Sequence, residues 1–141
     1  MRFTGILLCG FLIAAAALAQ DDDRPDLSGK WQINQAKGGS GGTLNIEAKD
    51  DSLHYSEAAR NGETVEFDCT TDGKECNMTD GGRKAKVSVW YNGGSLVMLE
   101  TKGNDVVKRR FTLTNASTLE MEVIPIVPPG KTGKLVFTKQ S

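Results

Sequence analysis

The chain has 141 residues, room for one domain of ordinary size. Its 17 basic and 18 acidic residues give a net charge of −1, so it lacks the basic surplus with which a general nucleic-acid binder neutralises phosphates. Hydrophobic residues at 38% and charged residues at 25% are a globular composition, and one His with three Cys leaves little for a multi-ligand metal site.

The first residues read as an address. Met1-Arg2 is a short basic start, Ile6 to Ala19 is almost wholly apolar, and Ala17-Leu18-Ala19 is a small-x-small triplet before Gln20. This is the pattern of a secretory signal peptide over residues 1–19, cleaved after Ala19. The apolar run is shorter than the ~20 residues a helix needs to span a bilayer, so the processed chain is expected to carry no transmembrane helix. Cys9 lies inside the run and leaves with it. The expected product is exported, to a periplasm or the medium, with an acidic flexible leader over residues 20–26 and one domain over 27–141.

Cys69 and Cys76 remain. In an exported chain a single pair reads as a disulfide, and Asp72-Gly73 between them is a favoured hairpin turn that sets Cys69 opposite Cys76.

From Gly29 onward apolar and polar residues alternate with period two, broken by turn residues, with no sustained helical period. The expected strands are Gly29–Gln35, Thr43–Lys49, Ser52–Ala59, Glu63–Thr71, Lys74–Asp80, Arg83–Tyr91, Ser95–Lys102, Val106–Thr114, Thr118–Pro125 and Lys134–Gln140. Short connections force antiparallel neighbours. Facing residues must share a face, which aligns Ile46 with Tyr55, Tyr55 with Phe67, Phe67 with Met78, Met78 with Ala85 and Phe111 with Met121. Reading Asn92-Gly93-Gly94 as a three-residue loop sets Val89 against Val97 and Val87 against Leu99. Reading Gly103-Asn104-Asp105 the same way sets Val97 against Phe111. A two-residue loop at the first site instead turns Leu96 and Met98 inward. The fold class is all-β, an up-and-down antiparallel meander of eight to ten strands closed into a barrel, because closure removes exposed edges. The alternative is a two-sheet sandwich. Residues 36–42 and 125–133 are the two longer connections.

Gly29-x-Trp31 opens the first strand, and with an exported meander behind it the chain resembles the lipocalin and calycin group. It is similar in particular to small bacterial exported lipocalin-like proteins, whose roles are mostly undefined. Lys134–Lys139 and Val107–Leu113 resemble strands of that group as well. The resemblance implies that Gly29 and Trp31 are structural, with Trp31 at the closed end of a barrel under a late basic residue: Arg109, Arg110 or Lys139. The second lipocalin motif, Thr-Asp-Tyr, is missing, since Thr71-Asp72 is followed by Gly73. Ten short-looped strands resemble the fatty-acid-binding branch.

Arg109 falls in the inward register between Val107 and Phe111, where a charge is costly unless paired or wetted. It is a candidate anion hook for a ligand head group, or a structural Arg that stacks on Trp31. Tyr55, Tyr91, Phe67, Phe111 and Met121 are candidate wall residues of the same ligand site, and Glu57 and Tyr91 could line the cavity beside Arg109. His54 faces outward opposite Glu47. No nucleophile elbow, phosphate loop or metal-ligand spacing is present, so no catalytic residue and no cofactor is assigned. In the three-residue-loop register Trp90, Leu96 and Met98 share the outer face as a contact patch for a protein partner or self-association. The functions left are a carrier of a small hydrophobic or amphiphilic molecule, an envelope protein with a filled barrel acting through its outer surface, and, third, an enzyme.

Overall fold

In a computed structural model, residues 24–34, 42–59 and 62–140 are described. The expected signal peptide with Cys9, most of the 36–42 connection and the Arg60-Asn61 part of a turn lie outside the described residues. The strands are β1 (Gly29–Ile33), β2 (Thr43–Lys49), β3 (Ser52–Ala58), β4 (Thr64–Thr70) and β5 (Cys76–Asp80), then β6 (Arg83–Asn92), β7 (Ser95–Lys102), β8 (Asp105–Asn115), β9 (Thr118–Val127) and β10 (Gly133–Lys139). Each pairs antiparallel with its chain neighbours, and β1 pairs with β10, which closes the barrel and removes both sheet edges. The sandwich alternative is thereby excluded.

Most of the register follows the alternation. Ile46 lies opposite Tyr55, Tyr55 opposite Phe67, Phe67 opposite Met78, Met78 opposite Ala85, and Phe111 opposite Met121. Gly81 and Gly82 both have positive φ, 57° and 78°, which a two-residue hairpin turn demands and which costs glycine no steric strain.

Three expectations need correction. The β6–β7 turn holds two residues, with Asn92 paired to Ser95, so Val89 lies opposite Met98 and Tyr91 opposite Leu96. Leu96 and Met98 are fully buried inside the barrel, and Val97 and Leu99 face out. The patch of Trp90, Leu96 and Met98 does not exist. A one-residue change in loop length turns every side chain of a strand over, and β7 is apolar on both faces at Leu96–Leu99, so the alternation could not choose. The β7–β8 turn is also one residue shorter than expected, with Lys102 paired to Asp105. The two errors cancel, which leaves Val107, Arg109 and Phe111 inward as expected. Finally, Thr71–Glu75 is not a tight hairpin. The β4–β5 ladder covers only Val65–Phe67 with Met78–Asp80, and the loop leans on β6, where the Gly73 amide donates to the Val89 carbonyl at 2.9 Å.

The lower end of the barrel, where β1 begins, is sealed. Leu27 and Trp31 are buried, the Trp31 indole N–H donates to the Leu27 carbonyl at 3.0 Å, and the Ser28 hydroxyl bridges the Ala48 backbone. Lys139 lies over the Trp31 ring at 5.6 Å, so it, and neither arginine, is the basic partner of that Trp. Gly29 has φ +145°, and a Cβ there would come within 2.8 Å of Lys139 Cε, so the motif glycine makes room for that cation. The Cys69–Cys76 disulfide closes the unpaired lower part of the β4–β5 seam, with Cα atoms 5.6 Å apart.

Candidate functional site

The middle of the barrel is solid. Tyr55 stacks on Phe67 with ring centroids 5.0 Å apart and meets Phe111 edge-on at 5.9 Å. Tyr55, Phe111, Val87, Met98 and Ile46 have no exposed surface, and Phe67, Met78 and Met121 have 4% or less. Side chains lining a lipid-sized chamber would show solvent-accessible area on its walls, so these fill the space they enclose. A concavity of 1060 Å³ lies over β4, β5 and β6, lined by polar side chains such as Glu66, Asp68 and Lys86 and also by Phe67, Met78 and Ala85.

The upper end differs. Here β3, β5, β7 and β8 bring inward a charged group. Arg109 lies opposite Met98 and Val123, and its Nη1 donates to Glu100 Oε2 at 2.5 Å. The Glu100 side chain is only 5% exposed. On the same side Lys102 meets Asp80 at 3.3 Å, and the Tyr55 hydroxyl donates to Glu57 at 2.8 Å. Around this group stand half-buried Val65, Val107 and Val123, while Leu135, in the inward register opposite Met121, is 37% exposed. The upper mouth therefore joins an inward charged cluster to half-buried apolar side chains, termed the floor and wall of an upper cup, with Asp80 and Lys102 beside the turns at its rim.

Its electrostatics follow from burial. Desolvation pushes the Glu100 carboxyl above its usual range, Asp80 beside it pushes the same way, and Arg109 pulls back. Asp80 is held below the usual range, chiefly by its hydrogen bond with Glu100 and then by Lys102. Burial opposes the charge on Arg109, and neighbours headed by Tyr55 and Glu100 more than offset it, so the pKa moves up and the guanidinium stays charged. The Tyr55 hydroxyl is pushed well above its ordinary value by burial and by Glu57, so it is a neutral donor. Among the described residues no group of three or more His, Cys, Asp and Glu side chains is placed to hold a metal ion.

The sequence-derived ligand set is thus divided. Arg109 and Tyr55 share the cup floor with Glu57. Phe67, Phe111 and Met121 lie packed below it in the core. Tyr91 sits at the opposite end, half-buried with Arg24 over its ring at 5.2 Å, so it does not share a cavity with Arg109. Glu100, Asp80 and Lys102 were missed. The β7 register hid Glu100, since setting Val97 and Leu99 inward turns Glu100 outward, and Asp80 and Lys102 look like ordinary turn-flanking charges. On the outer face Trp90 lies opposite Val97, which is fully buried, and Asp72 bridges to Trp90. His54 lies opposite Glu47, as expected, and contacts Asp68 at 2.7 Å through Nδ1.

No protein family profile and no curated protein sequence matches the chain. Solved structures do. A fatty acid transporter, REP1-NXSQ, matches with a TM-score of 0.67 at 17% identity, covering 82% of this chain and 97% of that one. Lipid binding protein 8 of Caenorhabditis elegans matches at 0.64 with 12% identity, over 80% and 94%. A fatty acid binding protein of Schistosoma mansoni, solved with arachidonic acid, matches at 0.66 with 12% identity, over 81% and 96%. The fold is that of the calycin-type fatty-acid-binding barrels.

Proposed function

We propose that this is an exported, non-catalytic binding protein that holds a small amphiphilic molecule in the upper cup of its barrel. The observation that carries the reading is the pairing of a charged floor at Arg109, Glu100 and Glu57 with an apolar wall that includes the exposed, inward-register Leu135. An apolar pocket with a few convergent polar groups is the usual form of a small-molecule site. The fold neighbours that bind fatty acids and lipids support a hydrophobic ligand. The solid middle limits the site to the mouth, so the ligand lies shallowly, with its tail along Val65, Val107, Val123 and Leu135.

The test is titration of the purified protein, from Gln20 onward, with dodecanol below its solubility limit, followed by calorimetry. Saturable one-site binding that Leu135→Ser weakens by about tenfold, the loss of one good apolar contact, supports the reading. Absence of binding across a varied lipophile panel, with the protein shown folded, refutes it.

The filled interior favours a second reading, an envelope protein acting through its outer wall. Trp90 and Leu99, half-buried on the outer face, are the outward apolar residues for that role. Concentration-dependent association in sedimentation that Trp90→Ser abolishes would favour it.

A further inference from the structure

We infer that the upper cup selects amphiphiles whose head group is an uncharged or cationic hydrogen-bond donor, such as an alcohol or an amine, and rejects carboxylates; this rests on the proposed amphiphile site. The argument is one of charge and hydrogen-bond inventory. The cup floor holds three carboxyl groups, Glu57, Asp80 and Glu100, against two cations, Lys102 and Arg109. Both cations are already matched, Arg109 to Glu100 at 2.5 Å and Lys102 to Asp80 at 3.3 Å. With Glu100 ionised the floor carries one surplus negative charge. With Glu100 protonated it is neutral. In neither state does it hold a surplus positive charge to receive an anion. Among the described residues the exposed rim adds Glu63, Arg83, Asp105 and Lys131, two acids and two bases, which supply no surplus either.

Glu57 is the acceptor left over. It faces inward between Leu44 and Val65, is half-buried, and receives one hydrogen bond, from the neutral Tyr55 hydroxyl. An ionised carboxylate has about four acceptor sites, so Glu57 keeps capacity for a donor arriving from the mouth. An ammonium or hydroxyl there forms a charge-assisted bond, whereas a ligand carboxylate meets a like charge in a poorly solvated site. Arg109 is then a positioning group. It holds Glu100 in place and keeps the floor polar without acting as an anion hook.

The experiment uses three probes of one chain length, dodecylamine, dodecanol and dodecanoate, each below its aggregation limit at neutral pH. They are measured by calorimetry on the protein from Gln20 onward and on Glu57→Gln. That variant keeps an oxygen for the Tyr55 hydroxyl, and its thermal unfolding is checked alongside. Dodecylamine is expected to bind about tenfold or more tighter than dodecanoate, the scale of one charge-assisted hydrogen bond. Glu57→Gln is expected to bring the two within about threefold and to weaken dodecanol by a smaller factor than dodecylamine, because the amide oxygen still accepts the hydroxyl proton without charge assistance. Tightest binding by dodecanoate, or an amine preference that survives Glu57→Gln, overturns the inference and leaves the amphiphile site standing. Failure of all three probes to bind overturns both.

Discussion

The lower end of the barrel is closed by apolar and covalent packing: Leu27 under the strands, Trp31 beneath Lys139, and Cys69 joined to Cys76. At the upper end the same ladder of ten strands leaves Leu135 exposed and draws five charged side chains inward. Backbone pairing does not account for the difference, since neighbouring strands are laddered all round the barrel and the unpaired stretch of the β4–β5 seam lies at the lower, sealed end. It comes from which side chains occupy the inward positions. Buried unpaired charge is expensive, so a chain that keeps Glu100 and Arg109 inside must pair them, and a fold optimised for stability alone does better with apolar residues there. The lower end thus reads as the part that holds the fold, and the upper end as the part that does something with it.

Substitutions sharpen that division. Trp31→Ala removes the fully buried ring at the closed end and is expected to cost about 3–5 kcal/mol in urea unfolding. A loss under about 1 kcal/mol would mean that the lower seal is not structural. Arg109→Ala leaves Glu100 buried without its partner and is expected to cost about 3–5 kcal/mol as well. The double change Arg109→Met with Glu100→Leu removes both charges and is expected to recover most of that loss while destroying binding at the cup. Recovery of stability together with intact binding would separate the cup from function.

The next effect is smaller. Replacing both Cys69 and Cys76 by Ser is expected to cost about 2–3 kcal/mol, because the closed loop is short, and to leave the cup unchanged. Mass spectrometry finding two free thiols in oxidised protein would remove the bond from the account. His54 gives the smallest effect. Its pKa is raised, mainly by the hydrogen bond to Asp68, so it binds protons more tightly folded than unfolded. Its stabilisation is complete below the ordinary His value of 6.5 and fades as pH rises through the higher folded value. The pair is on the surface, so the change is a fraction of a kcal/mol on the scale of ~1 or less, and His54→Gln is expected to flatten it.

How far the sequence could be read follows the same division. Wherever one face of a strand is apolar and the other polar, as at Leu44-Asn45-Ile46-Glu47 or Cys76-Asn77-Met78-Thr79, alternation fixed the register and the structure agrees. β7 defeated it because Leu96, Val97, Met98 and Leu99 carry no such contrast, and Gly93-Gly94 serves a two-residue turn as readily as a longer one. That single ambiguity hid Glu100, and with it the partner that makes Arg109 something other than a free cation. The identity of the Trp31 partner was hidden for a different reason. Three basic residues fitted the spacing, and only barrel closure brings Lys139 beside β1.

The most direct test is chemical-shift mapping of the 15N-labelled protein during a dodecanol titration. The account predicts saturable shifts at Glu57, Val107, Val123 and Leu135, with Leu27, Tyr91 and Lys139 unmoved. Shifts centred on the lower end, or no saturable shift at the upper mouth, would contradict it.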